Sequence, residues 1–416
     1  MTIAYEVVIR SPISVGNVGG FDVGGMTLQK PENLYVFQQL KADSRSPWRR
    51  RLSVSYGGKY GSALARLAED NPDEEFVTQN VQKFLAKYAR GQPFDYKISV
   101  TQEIPVKRGS GASAAARGTS WYGMNVLTAT GLSLYDIVRD VAEQETHWDN
   151  IAPNMLGGYV YILPEGDSDA TLIRHDSIPH HGELLVIPPF EKKSTVVLRP
   201  PVQRFRADKR VLTDAVYRAG MVFRSTGSLA VAESQVLYLA HELTKDAPEE
   251  VPMPYVVSKM QEMIRAMNTY FSRKGKTSSS QRIVEFGEYS INDETHVKAR
   301  AEIRGYGPFD YSDWRTQTEK IRNLGGWLRI SGAGPNHVIA FNINNTPDEA
   351  LNRMIKEEKV FWGDIGYDPA DLEFRTTRPA ASGTEILYIT SRNGHRQNEI
   401  TITRQTLEAL LFSAQR

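Results

Sequence analysis

The residues best suited to chemistry lie in Pro105-Val106-Lys107-Arg108-Gly109-Ser110-Gly111-Ala112-Ser113-Ala114-Ala115-Ala116. A glycine-rich turn that runs into a helix presents free backbone N–H groups and the positive end of a helix dipole, and both suit phosphate. The Ser113 hydroxyl is a candidate magnesium ligand, because magnesium takes oxygen ligands and usually bridges to nucleotide phosphates. The plainer alternative is a tight strand–helix turn whose glycines serve packing alone. No Lys-Ser or Lys-Thr follows the glycines, which separates the segment from the P-loop pattern.

A second cluster is His147-Trp148-Asp149-Asn150-Ile151-Ala152-Pro153-Asn154-Met155-Leu156-Gly157-Gly158. Its polar groups suit hydrogen bonding to a polar substrate, while capping and turn chemistry is the competing reading. No second histidine stands at ligand spacing from His147, so a zinc site is not indicated. A third segment, Ser331-Gly332-Ala333-Gly334-Pro335, reads by itself only as a tight turn.

The elements that must position these residues follow from periodicity. Ala4 to Arg10 reads as a strand, running into the glycine-dense loop Asn17-Val18-Gly19-Gly20-Phe21-Asp22. Residues 40 to 75 read as charged and irregular and include Arg49-Arg50-Arg51. Val81, Phe84, Leu85 and Tyr88 form a helical stripe, and Asp95 to Ile104 is strand-like. Ser133 is the expected N-cap of a helix with Leu134, Ile137, Val138, Val141 and Ala142 on its buried face. Tyr159 to Leu163, Leu184 to Ile187, Trp327 to Ile330 and His337 to Phe341 read as strands. Helical patterns occupy 210 to 243 and 255 to 272, followed by an exposed loop from Ser272 to Gln281. Pro188-Pro189 and Pro200-Pro201 suggest a boundary near 205, giving domains 1–205 and 206–416.

Composition narrows the class. The chain has 416 residues, 40% hydrophobic and 24% charged, enough for a sizeable core and for two or three domains. A formal net charge of +1 offers no general attraction to nucleic acid or anionic membrane. Without cysteine there are no disulfides, thiolate metal sites or cysteine nucleophiles. No signal peptide and no membrane-length apolar run is read, so a cytoplasmic location is expected.

The order of the three segments resembles the GHMP kinase superfamily, and within it homoserine kinase. The family's phosphate loop, Pro-x-x-x-Gly-Leu-Gly-Ser-Ser-Ala-Ala, is similar to Pro105-x-x-x-Gly109-Ser110-Gly111-Ala112-Ser113-Ala114-Ala115. Asn17 to Asp22 resembles Asn-Leu-Gly-x-Gly-Phe-Asp. His147 to Pro153 with Gly157-Gly158 resembles His-x-Asp-Asn-Val-Ala-Pro and its glycine pair. Thr195-x-x-x-Arg199 and Ser331 to Pro335 complete the set. The resemblance implies an α+β, two-domain GHMP kinase fold, with an N-terminal ribosomal S5 domain 2-like half and a C-terminal ferredoxin-like α/β sandwich. It implies ATP and Mg2+ as cofactors, a small-molecule hydroxyl substrate with homoserine foremost, no nucleic-acid or membrane partner, and a homodimer as the candidate assembly, the oligomeric state itself being left open.

By position, the resemblance implies that Gly109, Ser110, Gly111, Ala112 and Ser113 wrap the ATP phosphates and that Asn80 lies near adenine. Ser113 and Glu145 hold magnesium, with Glu143 the alternative. Asn17, Asp22, His147, Asp149 and Arg199 surround the amino-acid alcohol. Asp22 or Asp149 could serve as base, and Arg199 would grip a substrate carboxylate. Arg300, in His296-Val297-Lys298-Ala299-Arg300, is either a second carboxylate-binding arginine or an ordinary surface arginine. Gly111→Val is expected to abolish ATP binding while leaving the fold largely intact.

The departures are a shorter Asn17 loop, Ser110 for leucine, Ala112 for the first serine, and a compressed spacing before His147. Residues 40 to 75, 245 to 295 and the C-terminus are the expected additions. Rival readings are a kinase for another hydroxy acid or specialised metabolite, a decayed binding protein of the same fold, and an RNA binder using Arg49-Arg50-Arg51 beside Trp48 and Tyr56.

Overall fold

The structure is a computed structural model that describes residues 4–16, 24–29, 35–42, 50–70, 75–90, 94–106, 110–145, 148–164, 170–175, 181–188, 217–218, 220–221, 223–225, 283–291, 294–303, 307–309, 311–331, 336–364, 368–380, 382–393 and 396–400. The boundary near 205, the Ser272–Gln281 segment and most of both helical patterns after 210 lie outside them.

Six strands form one sheet, in the order Arg396–Ile400, Glu385–Asn393, Ala4–Pro12, Tyr35–Ala42, Phe94–Gln102 and Arg50–Gly57. All neighbours are antiparallel except the last pair, which is parallel. Alternation places Val7 and Ile9 in the core, with Glu6 and Val8 only half-buried. The irregular reading of residues 40 to 75 is corrected here. Arg50–Gly57 is a strand with Leu52, Val54 and Tyr56 packed inward and Arg51, Ser53 and Ser55 exposed, and Gly61–Asp70 is helix α1. The arginine run had masked a period-two pattern.

Helices cover this sheet. In α2 (Thr78–Tyr88) the stripe buries Val81, Phe84 and Leu85. The buried Glu75 carboxylate accepts from Val77 N and Thr78 N at 2.7 Å each, satisfying donors at the helix start. The long helix α3 (Ala112–Thr128) crosses the strands Ala4–Pro12 and Tyr35–Ala42. Small residues permit that approach: a Cβ at Gly123 would lie 2.7 Å from Leu40 Cδ1. Trp121 anchors α2 to α3, its ring 5.2 Å from Phe84 and nearly perpendicular to it. Helix α4 (Leu134–Glu145) starts with a reciprocal cap. Asp136 N donates to Ser133 Oγ, and Ser133 N donates to Asp136 Oδ2, each at 3.1 Å. Its buried face carries Ile137, Val138, Val141, Ala142 and Glu145. The short helix α5 (Ile151–Leu156) follows directly after Asn150.

A second sheet has eight strands. Its order is Gly326–Ile330, His337–Asn342, His181–Ile187, Glu373–Pro379, Gly24–Gln29, Tyr159–Pro164 and Ala170–His175, with Ser14–Gly16 paired to Gly24–Gln29. Helices α6 (Tyr311–Asn323) and α7 (Asp348–Asp364) pack together, α6 against Gly326–Ile330. The buried Glu358 of α7 binds His337 Nδ1 at 2.7 Å and accepts from Gln317 Nε2 at 2.9 Å and Trp362 Nε1 at 3.2 Å. A third sheet joins Ile283–Ile291, Glu294–Ile303 and Gly307–Phe309. Arg300 lies in its central strand, opposite Glu285.

Candidate active site

The turn into α3 is shaped by Gly111, whose φ of 65° is left-handed and whose carbonyl accepts Ala115 N at 2.8 Å. A Cβ there would overlap Ser14 Oγ and stand 3.0 Å from Ser14 O. The expectation that Gly111→Val spares the fold is therefore corrected: the glycine is needed by the backbone and by Ser14 before any ligand is considered. Gly16, two residues beyond Ser14, packs as tightly on Asp149; a Cβ would lie 2.9 Å from Asp149 Cγ. Ser14 Oγ donates to Asn150 O at 3.1 Å, and Asn150 Nδ2 donates to Asp149 Oδ2 at 3.3 Å. The edge strand Ser14–Gly16 thus clamps the phosphate-type turn to Asp149-Asn150.

Ser110 is buried and accepts from Asn336 Nδ2 at 2.7 Å. Asn336 also closes its own turn, its carbonyl accepting Ser331 N at 2.9 Å. Asn336, the residue after the third sequence segment, therefore reaches the first segment across 226 residues. The Asn154 side chain locks the second segment: its Oδ1 accepts Ser11 Oγ at 2.6 Å and its Nδ2 donates to Pro12 O at 2.6 Å. The glycine pair that follows has a backbone explanation. Gly157 and Gly158 have φ of 77° and 70°, and Gly158 N donates to Ala380 O at 2.6 Å.

In the first turn of α3, Ser113 Oγ hydrogen-bonds Glu145 Oε1. Arg117 Nε pairs with the same carboxylate oxygen at 2.7 Å and donates to Ser113 Oγ at 3.3 Å. Glu145 is 5% exposed, whereas Glu143 is exposed to solvent. The guanidinium lies 5.9 Å from the Phe76 ring centre. Lys83 of α2 joins this electrostatic cluster. Burial, then the Arg117 charge, lower its pKa, and Glu145 opposes them. Asn80, fully buried, donates to Arg117 O at 2.7 Å, and no hydrogen-bond partner of its Oδ1 is found among the described residues. A hydroxyl and a carboxylate side by side are the hard oxygen donors that magnesium takes, so Ser113 and Glu145 fit such an ion. Among the described residues no group of three His, Cys, Asp or Glu could hold a metal. That is compatible with an ion completed by phosphate and water.

Of the residues singled out from sequence, Asn80, Ser110, Gly111, Ala112, Ser113, Glu145 and Asp149 fall on described positions, on or beside the start of α3. Asn17, Asp22, Gly109, His147 and Arg199 lie outside the described residues, and Arg300 sits in the separate third sheet. Sequence reasoning missed Arg117, Lys83 and Asn336, and included Asn154 in the second cluster without a role of its own. Arg117 carried a usable signal: it stands four residues after Ser113, so the two share a helix face. Among the described residues no helix is long and apolar enough to cross a membrane.

Residues 75–158 match the family of GHMP kinases N terminal domain. Over 218 residues the chain is 28% identical to homoserine kinase of Staphylococcus epidermidis, covering 52% of this chain and 63% of that protein. It is 30% identical over 187 residues to homoserine kinase of Staphylococcus haemolyticus, covering 45% of this chain and 57% of that one. In each case the chain therefore matches less than two thirds of the relative's length. A crystal structure of homoserine kinase from Cytophaga hutchinsonii aligns with a TM-score of 0.55 at 15% identity, covering 93% of this chain and 98% of that one. Residues 75–158 are therefore similar to a GHMP kinase N-terminal domain, the chain shares the fold of the solved homoserine kinase structure, and part of it is similar in sequence to homoserine kinase.

Proposed function

We propose that this chain is an ATP-dependent small-molecule kinase that transfers the γ-phosphoryl group to the hydroxyl of an amino-acid alcohol, homoserine foremost. The observation that carries the reading is the Ser113–Glu145–Arg117 cluster, where the start of α3 meets the end of α4 beside a left-handed glycine entry. Phosphoryl transfer needs positioning and charge neutralisation more than covalent chemistry. The turn from Gly109 to Ser113 cradles the phosphates through backbone N–H groups and the helix dipole. Ser113 and Glu145 hold magnesium, which when bound supplies charge neutralisation at the phosphates. Asn80 borders adenine. Asn17, Asp22, His147, Asp149 and Arg199 surround the alcohol substrate, Arg199 gripping its carboxylate, and Arg300 is either a second carboxylate-binding arginine or an ordinary surface arginine. Asp22 and Asp149 are the candidate bases. The site works in the cytoplasm, and the domains meet near residue 205.

A coupled ADP-release assay across homoserine, threonine, serine, pantoate, mevalonate and sugars tests the reading. Turnover with homoserine above the other alcohols supports it in full. Turnover with another hydroxy acid keeps the kinase and moves the substrate. A folded chain that binds ATP and turns over none of them is a binding protein of the same fold. Absence of ATP binding refutes the proposal.

A further inference from the structure

Arg117 has no role in the motifs, yet it occupies the centre of the site. Its Nε stands 2.7 Å from Glu145 Oε1 and 3.3 Å from Ser113 Oγ, the two oxygens that suit a divalent cation. A guanidinium and a metal ion cannot share those oxygens closely, because like charges repel strongly where water is scarce. Glu145 and Arg117 have side chains only 7% and 13% exposed, so a carboxylate there needs a counter-charge at all times. Among the described residues the hydrogen bonds of Arg117 run through Nε. Its two terminal nitrogens form the planar fork that grips paired phosphate oxygens. Arg117 also lies on the first turns of the helix whose N-terminus would face those phosphates. Lys83 adds a second cation beside it, and the depressed pKa of that lysine reflects burial first and the Arg117 charge second. Two cations beside one carboxylate leave a net positive charge that favours an anion.

We propose that Arg117 is an exchangeable counter-ion. It neutralises Glu145 and holds Ser113 in the nucleotide-free protein, then passes to the nucleotide phosphates when a divalent cation takes the Glu145 carboxylate. This rests on the kinase reading above. Two binding measurements on the full chain test it without any turnover. One is Mn2+ binding to nucleotide-free protein, followed through the free-ion paramagnetic signal. The other is calorimetric titration of ATP with saturating magnesium. In Arg117→Gln the guanidinium that competes for Glu145 is gone, so Mn2+ should bind at least ~10-fold tighter, while ATP with magnesium should bind at least ~10-fold more weakly, the size of a lost charge-assisted contact. Arg117→Lys keeps the charge without the fork and should fall between wild type and Arg117→Gln on both measurements. It carries the test if Arg117→Gln does not fold. Mn2+ affinity that is unchanged or weaker, or ATP affinity with magnesium that is unchanged, overturns the exchange. A wild-type chain that binds no ATP even with magnesium defeats the kinase reading. Wild-type ATP binding that Arg117→Gln leaves unaltered defeats only the role of Arg117.

Discussion

Replacing Glu145 by Gln removes one negative charge from the cluster at the start of α3 while keeping side-chain length. The Glu145 Oε1 accepts from Ser113 and stands 2.7 Å from Arg117 Nε, with the residue 5% exposed. Glutamine retains an acceptor oxygen, so both hydrogen bonds survive with a neutral acceptor, the one from Arg117 still donated by a charged guanidinium. The loss in stability is the difference between charge-assisted and neutral bonds, about 1–2 kcal/mol. Truncation of one partner in a fully buried pair would cost more, about 3–5 kcal/mol. The effect on turnover is larger. On the proposed reading, in which Glu145 holds the magnesium, removing its anionic oxygen should cost roughly 3 kcal/mol of transition-state stabilisation, about 10²-fold in kcat. Glu143, on the same helix but exposed, should change kcat less than about twofold when replaced by Gln. The assay is coupled ADP release as a function of magnesium concentration, with thermal melts of each variant. An equal loss from Glu143→Gln, or full activity in the Glu143→Gln/Glu145→Gln double variant, would refute the assignment of that oxygen.

Three further outcomes are expected. Gly157→Ala places a Cβ 2.7 Å from Ser382 Cα at a φ of 77°, so it should lower the stability measured by urea unfolding by about 2–5 kcal/mol; a wild-type midpoint would mean that the backbone there shifts freely. Asn336→Ala removes the 2.7 Å bond to Ser110 and should cost about 1 kcal/mol while weakening ATP binding by about fivefold, as calorimetry would read. Unchanged affinity would uncouple that turn from the nucleotide. Lys83 and Lys87 lie one turn apart on α2, with opposite shifts. Burial and Arg117 lower the Lys83 pKa, whereas Asp140, overcoming burial, raises that of Lys87. More neutral amine at Lys83 means faster acylation at about pH 8, and ATP should protect it; equal labelling by mass spectrometry would contradict the charge cluster.

Much of the framework was legible before any coordinates. Glycine spacing, the stripes of α2 and α4, the Ser133 cap and the branched strands are local patterns whose period reports which face is buried. The inward register of α4 also favoured Glu145 over Glu143, because it continues the row through Val141 and Ala142. The strand Arg50–Gly57 was missed although Leu52, Val54 and Tyr56 alternate with Arg51, Ser53 and Ser55. A run of charge outweighed a pattern that an edge strand needs on only one side.

Other contacts belong to the tertiary structure alone. Ser110 meets Asn336 across 226 residues, Ser11 meets Asn154 across 143 and Thr384 across 373. A hydrogen bond needs its atoms within about 3 Å, and that distance is set by sheet register and helix placement rather than by local periodicity. Arg117 shows the division most clearly. The sequence alone determined that it shares a helix face with Ser113. Only the packing of α4 against α3 decided that the carboxylate beside both would be that of Glu145, because a buried acid takes the nearest available cation once the helices have docked.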